Sequence, residues 1–146
     1  MEISIRWTEA LRKDERIMAL RNIVKKGDDC LTKNCRVVTD FNPRLHKLLD
    51  DMRETLIDSN GVGLAAPQVG VLRRAVLVID TTKEESPIIE LINPEIVSAE
   101  GEQEGPEGCL SVPGVWGIVK RPMHVRVKAQ DRFGNEFEVE GDELTA

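Results

Sequence analysis

Residues 107–111 read Glu107-Gly108-Cys109-Leu110-Ser111 and place one cysteine in a tight turn bordered by glycine. A backbone N–H and a small hydroxyl follow the thiol directly. Cysteine is often a buried structural thiol, but functional sites tend to be built on irregular backbone of this kind. The stretch therefore predicts a functional Cys109, whose thiolate acts either as a nucleophile or as a metal ligand.

A second segment supplies flexible backbone and one side-chain amide, and it reads Gly61-Val62-Gly63-Leu64-Ala65-Ala66-Pro67-Gln68. Its Gly-x-Gly is a weak dinucleotide signal, because neither a strand–loop–helix context nor a downstream acidic partner accompanies it. The glycines make more sense where backbone must approach a ligand closely. For this segment alone, a tight chain crossing is the alternative. The amide of Gln68 can both donate and accept hydrogen bonds.

Together and in this order, the two segments resemble the first two signatures of the peptide deformylases. Members of that family are metal-dependent amidases that remove the formyl group from the N-terminal methionine of newly synthesised proteins and release formate. The resemblance implies an α+β fold of short antiparallel strands packed with helices. It also implies two partners for the chain, namely N-formyl-methionyl nascent peptides and, transiently, the ribosome.

The resemblance assigns one metal ligand and two hydrogen-bond donors to the site. Cys109 corresponds to a thiolate ligand of a divalent metal, commonly Fe²⁺. A set of one thiolate and two imidazoles also accepts Zn²⁺, Ni²⁺ or Co²⁺. The Gln68 amide and the Leu110 N–H correspond to donors that surround the formyl oxygen.

The resemblance also implies where the substrate binds. Gly63 is implied as a catalytic position and as a substrate contact. Its backbone would pair with the substrate chain in an extended, strand-like mode. Val62 is implied as a substrate contact beside it. Trp116 would line the approach to the site as an apolar wall, or it packs on the sheet.

The third family signature, a His-Glu-x-x-His helix, does not occur in the 146 residues. In the family this helix brings both histidine ligands and a glutamate general base, and it is the central core element. The stretch from Gly141 to Ala146 resembles its lead-in. We therefore expect a deformylase-like domain over residues 18–146 that is C-terminally incomplete, lacks the central helix and is unstable as an isolated chain.

Residues 1–17 precede the part of the chain that carries the resemblance. We expect the native start at Met18, which makes these residues an N-terminal extension. The alternative is a helix that docks on the domain.

Three functions remain open at this point. The first is a true peptide deformylase, and the second is a catalytically inactive relative that keeps only a peptide-binding groove. The third is a thiol enzyme or redox sensor that depends on Cys109. A Cys–His hydrolase needs a histidine base within reach of the thiol. The chain has only His46, on a predicted helix, and His124, on the polar face of a predicted strand.

Composition excludes several other classes. The net charge of −6 argues against a nucleic-acid binder, which needs a basic patch. No apolar run is long enough to span a bilayer, and the N-terminus has no signal-peptide core. A cytoplasmic protein is therefore expected. Cys30 and Cys35 are interpreted as unrelated thiols, because a metal site needs three or four ligands and no partners lie nearby in the sequence.

Residues 42–59 are predicted to form a helix, with Asn42 as N-cap and Asn60-Gly61 at its end, where glycine would take the left-handed conformation. Short strands are predicted at 75–80, 88–92, 95–98, 112–119, 123–129 and from 136 onward, with Asn93-Pro94 closing the second and a hairpin turn at 131–135. The helix carries an apolar stripe at helical spacing, formed by Leu45, Leu48, Leu49, Met52 and Leu56. One helix followed by short antiparallel strands is an α+β pattern of a single domain.

Overall fold

The computed structural model describes residues 20–145. The predictions for residues 1–17 and for a start at Met18 lie outside the described residues. The described chain forms one α-helix and seven β-strands, which confirms the predicted α+β class. The strands are β1 (Gly63–Ala65), β2 (Ala75–Ile79), β3 (Ile88–Glu100), β4 (Gln103–Cys109), β5 (Val112–Arg121), β6 (His124–Gln130) and β7 (Glu136–Asp142).

Helix α1 spans Pro43–Ser59 and confirms the predicted helix. Asn42 caps its start, since Asn42 Oδ1 accepts a hydrogen bond from the Leu45 N–H at 3.1 Å. The end of the helix corrects the prediction by one residue. Asn60, with φ 56°, takes the left-handed conformation that was expected of Gly61. Asparagine adopts this conformation more readily than most residues with a side chain, so the turn does not require the glycine.

The apolar stripe of α1 lies at the centre of the hydrophobic core. It packs against β1, β2 and β3, where Leu64, Leu77 and Ile92 are fully buried. Each such side chain stabilises the fold by about 1.5–3 kcal/mol. All five predicted stripe residues are buried, namely Leu45, Leu48, Leu49, Met52 and Leu56.

Five strands form one antiparallel sheet in the order β1-β2-β3-β6-β7. The prediction that Asn93-Pro94 closes one strand before another begins is wrong. Strand β3 is 13 residues long and includes both residues. Asn93 takes φ 51° at a register shift between Ile92 and Glu95. Its side chain also bonds the N–H and C=O of Val38 at 2.8 and 2.9 Å. A β-bulge thus accommodates residues that would otherwise end the strand.

Strands β6 and β7 form a hairpin whose turn, residues 131–135, confirms the prediction. Gly134 supplies the positive φ of 87°, and Asp131 Oδ1 accepts a hydrogen bond from the Asn135 N–H at 3.0 Å. Across the strands, Arg126 pairs with Glu140 at 3.0 Å. Such cross-strand pairs add modestly to the stability of a sheet.

Strands β4 and β5 form a separate two-stranded ribbon. Cys109 is the last residue of β4 and pairs with Val112, while Leu110 and Ser111 form the two-residue turn between the strands. The register shifts between Gly108 and Cys109, which confirms the prediction of irregular backbone at the thiol. Because a two-residue turn leaves little conformational freedom, the ribbon holds the thiol in a defined place beside the turn.

The last described element is a short 3₁₀ turn, Glu143–Thr145. The described residues do not test the expected absence of the third-motif helix, which stays a prediction. No helix within residues 20–145 is long and apolar enough to cross a bilayer.

His124 is less exposed than the sequence predicts, because its side chain is only 32% exposed and bonds the carboxylate of Asp142. That hydrogen bond raises the pKa of His124 above 6.5. Partial burial opposes the increase, and the negative charges of Asp142, Glu140 and Glu100 add to it. The folded state thus favours the protonated ring. Its stabilising contribution is complete below pH 6.5 and is lost as the pH rises through the folded pKa.

We therefore expect the melting temperature of the wild type to fall as the pH rises from 6.5 through the folded pKa of His124. The variant His124→Gln should show a smaller fall over the same window. Equal slopes for the wild type and His124→Gln would contradict the assignment.

Candidate functional site

The first sequence motif occupies β1 and the 3₁₀ turn that follows it, Ala66–Val69. Strand β1 is an edge strand of the five-stranded sheet. The side chain of Gln68 folds back over the turn, so that Gln68 Oε1 accepts a hydrogen bond from the Ala65 N–H at 3.0 Å. Gly70 closes the turn with φ 82°, a conformation that glycine adopts readily.

The second motif lies at the tip of the β4–β5 ribbon. The thiol of Cys109 is exposed. The next residue, Leu110, has a backbone N–H with no protein acceptor among residues 20–145. Ser111 is 3% exposed and points its hydroxyl inward. An accessible thiol and a free N–H therefore stand side by side, backed by a buried hydroxyl.

The fold brings the two motifs together at the side chain of Gln68. Gln68 Nε2 lies 3.8 Å from Cys109 Sγ and 3.2 Å from Ser111 Oγ. The orientation of the amide follows from its surroundings. The Ala65 N–H can only donate a hydrogen bond, so the amide oxygen must face it and the NH₂ group must face the second motif.

Gly61 allows the two motifs to pack closely. A Cβ placed on Gly61 would lie 2.8 Å from Leu110 Cδ1 and 3.2 Å from Leu56 Cδ1, well inside the optimal carbon–carbon separation of about 3.5–4.0 Å. A side chain at this position would therefore have to displace the ends of two leucine side chains, so the close neighbours of Gly61 belong to the chain itself. A Cβ on Gly63 would meet only Leu77 O, at an ordinary 3.4 Å.

A segment that the sequence analysis missed joins the two motifs from one side. We call residues 24–30 the N-terminal strap. The Val24 N–H donates to Gln68 O and the Lys26 N–H donates to Ser111 O, both at 2.8 Å. Main-chain donors such as these carry no side-chain signature, so no sequence pattern could have revealed the role of the strap.

Two side chains of the strap add to these main-chain bonds. Lys25 Nζ donates to Leu110 O at 3.2 Å, which brings a positive charge to the turn after Cys109. Cys30 Sγ donates to Pro67 O at 3.0 Å. Cys30 thus has a structural contact at the first motif, which fits its interpretation as an isolated thiol.

The remaining predicted substrate residues lie around the site. Val62 is 47% exposed and directly precedes β1. Gly63 pairs with Val78 inside the sheet, and no strand within residues 20–145 pairs with the other edge of β1. Trp116 is 73% exposed and lies over Gly108, where a Cβ would meet the ring at 3.3 Å. Since Trp116 pairs with Gly108 across the ribbon, its ring stands beside the strand end that carries the thiol.

The histidines do not take part in this arrangement. His46 Nε2 bonds Arg132 O at 2.7 Å, and His124 bonds Asp142. No histidine within residues 20–145 bonds Cys109, so the geometry of a Cys–His pair is absent from this part of the chain.

A thiolate is a ligand that borderline divalent metals accept, and Cys109 Sγ is accessible to one. Catalytic metal sites commonly take three protein ligands. In the part of the chain that the structure describes, no three His, Cys, Asp or Glu side chains are close enough to hold a metal ion. The described residues therefore fit such a site only in part, with Cys109 as one ligand.

Comparison with known proteins identifies the family. The family model for polypeptide deformylase matches residues 20–146. A curated peptide deformylase of Lachnoclostridium phytofermentans is 56% identical over 129 residues, which cover 88% of this chain and 78% of that protein. One from Caldicellulosiruptor bescii is 57% identical over the same length and covers 88% of this chain and 75% of that protein.

Solved structures agree with this match. A peptide deformylase from Legionella pneumophila superimposes with a TM-score of 0.80 at 46% identity, covering 86% of this chain and 73% of that one. A Met-Ala-Ser-bound peptide deformylase from Acinetobacter baumannii has a TM-score of 0.80 at 31% identity, with 87% and 86% covered. The chain therefore belongs to the polypeptide deformylase family, whose members are metal-dependent hydrolases.

Proposed function

We propose that this protein is a peptide deformylase that hydrolyses the N-formyl group of the N-terminal methionine of newly synthesised proteins. Water adds its oxygen to the formyl carbon, the carbon–nitrogen bond breaks, and formate and a free α-amino group are released. The observation that carries the proposal is the position of the Gln68 amide. Its NH₂ group is held 3.8 Å from Cys109 Sγ, next to Leu110, whose N–H has no acceptor among residues 20–145.

Two donors are proposed to bind the formyl oxygen, the Gln68 NH₂ and the Leu110 N–H. Hydrolysis of an amide develops negative charge on that oxygen, and donors that are already in place stabilise the charge without reorganising. The contact of Gln68 Oε1 with the Ala65 N–H supports the assignment because it occupies the amide oxygen and leaves the NH₂ group for the second motif.

Cys109 is proposed as the sulfur ligand of the metal on which the family depends. Fe²⁺ is the metal we propose, while Zn²⁺, Ni²⁺ and Co²⁺ are the other ions compatible with a thiolate-containing ligand set. A metal at such a site supplies an activated water near neutral pH. The exposure of the thiol at the end of β4 supports this role.

The peptide is proposed to bind along the open edge of β1. An extended chain can add to such an edge through main-chain hydrogen bonds, for which Gly63 offers its backbone. Val62 and Trp116, both exposed, are proposed as apolar contacts on either side. The Met-Ala-Ser tripeptide bound to the Acinetobacter baumannii relative supports a short N-terminal peptide as the ligand.

We further propose that the protein acts in the cytoplasm and meets its substrates through a transient association with the ribosome. Formyl-methionine occurs at the start of chains that have just been made, so an enzyme for it works best near the exit of the ribosome. A net charge of −6 argues against sequence-specific binding of nucleic acid.

The proposed function is tested with the protein as its natural gene encodes it, loaded with Fe²⁺ under anaerobic conditions. We expect formate release from formyl-Met-Ala-Ser, and acetyl-Met-Ala-Ser, which contains no formyl group, gives the background of the formate assay. Peptide binding without formate release would instead support an inactive relative with a peptide-binding groove. Absence of both binding and hydrolysis would refute the proposal.

A further inference from the structure

We infer that Ser111 is a positioning residue for Gln68, whose hydroxyl holds the catalytic amide in the orientation that faces Cys109. The inference rests on the proposed function. It adds a residue that contacts neither the substrate nor the metal and that acts only through Gln68.

The inference starts from the torsional freedom of glutamine. The terminal torsion of a glutamine side chain is broad, and no steep energy well holds it. The amide of Gln68 therefore needs two anchors to point its NH₂ group in one direction. One anchor is the Ala65 N–H on Oε1 at 3.0 Å. The other is Ser111 Oγ, which accepts from Nε2 at 3.2 Å.

The two bonds assign the hydrogens of the NH₂ group. One hydrogen is directed to Ser111 Oγ, so the other is left for the side of Cys109, whose sulfur lies 3.8 Å from Nε2. That sulfur is too far for a strong hydrogen bond, and the second hydrogen remains available for a ligand. Ser111 thus selects which of the two N–H bonds faces the site.

The hydroxyl can serve as an anchor because its own position is fixed. Ser111 is 3% exposed and lies in a two-residue turn. Its carbonyl accepts the Lys26 N–H, and the carbonyl of Gln68 accepts the Val24 N–H, both at 2.8 Å. The strap thus holds the main chains of both residues, so the hydroxyl stays in place while the Gln68 side chain takes its orientation.

The first test is a double-mutant cycle on formate release by the Fe²⁺-loaded natural protein. Ser111→Ala should lower kcat about five- to tenfold, the loss expected for one hydrogen bond, and leave KM within about twofold. In the Gln68→Ala background the same change should alter kcat less than about twofold, because the amide it positions is gone. Metal content should equal that of the wild type. Losses that multiply in the double variant overturn the inference.

The matched control is Ser59→Ala, which removes a hydroxyl bonded to Leu56 O at the end of α1. It should leave kcat and KM unchanged. A drop in kcat for Ser59→Ala that equals the drop for Ser111→Ala would show a general loss of stability and would overturn the positioning role.

A second test does not depend on activity and uses the metal-free natural protein. The protein has three glutamines, Gln68, Gln103 and Gln130, so their side-chain NH₂ signals can be assigned by NMR. Ser111→Ala should accelerate solvent exchange of the Gln68 NH₂ at least about fivefold and leave the other two unchanged. An unchanged Gln68 rate overturns the inference. If the wild type releases no formate, the proposed function fails, while this measurement still decides the role of Ser111.

Discussion

The variant Cys109→Ala is expected to lower kcat/KM for formyl-peptide hydrolysis by at least about a hundredfold. Replacing a residue that only orients a metal ligand already lowers metal affinity or activity about 10–100-fold. Cys109 is proposed as a ligand itself. The loss should come with reduced metal content after gel filtration, measured by inductively coupled plasma mass spectrometry. The exposed position of the thiol makes an effect through lost core packing small.

The control for this variant is Cys35→Ala, which removes a partly buried thiol outside the site and should retain wild-type activity and metal content. Removing the metal with a chelator distinguishes a role of Cys109 as a metal ligand from a role as a nucleophile. A thiol hydrolase would keep its Cys109-dependent activity after exhaustive chelation, whereas the proposed enzyme should lose it. Wild-type activity of Cys109→Ala would refute both roles.

Gln68→Ala is the second variant with a large expected effect, a decrease in kcat of about 10²–10³-fold. Loss of one preorganised donor to a developing oxyanion has this magnitude in other hydrolases. KM should change much less, because the contact strengthens chiefly as charge develops on the oxygen. Steady-state kinetics of formate release give both parameters.

Gln103→Ala provides a matched control for this variant. The Gln103 amide bonds Pro122 O and Glu143 O, away from Cys109, so its loss should leave kcat unchanged. Melting temperatures of both variants show whether they fold. If Gln68→Ala folds and keeps kcat within about threefold of the wild type, its amide is not a catalytic donor.

The local elements could be predicted because their signals lie in neighbouring residues. The stripe of α1 follows helical spacing, and Asn42 is a good N-cap, so the helix forms where the pattern indicates. Gly134 marks the β6–β7 turn in the same way. The two motifs around Gln68 and Cys109 were also visible, because chemistry of this kind requires particular residue types.

The continuity of β3 could not be predicted in this way. Asn93-Pro94 usually ends a strand, and here it does not, because the Asn93 side chain bonds the main chain of Val38, 55 residues away. A local pattern contains no information about a partner so distant in sequence. The close contact of Gly61 with the Leu110 side chain could not be predicted either, because Leu110 lies on the ribbon, far from Gly61 in the sequence.

The sequence by itself determined the α+β class, the helix, the hairpin and the residues of the two motifs, since each depends on propensities of adjacent residues. Tertiary structure alone decided the distance between the Gln68 amide and Cys109 Sγ, the burial of Ser111 and the clamping of both motifs by the strap. The physical reason is that these features arise from main-chain hydrogen bonds and packing between distant segments. Such bonds form between any residue types, so they leave no pattern in the sequence.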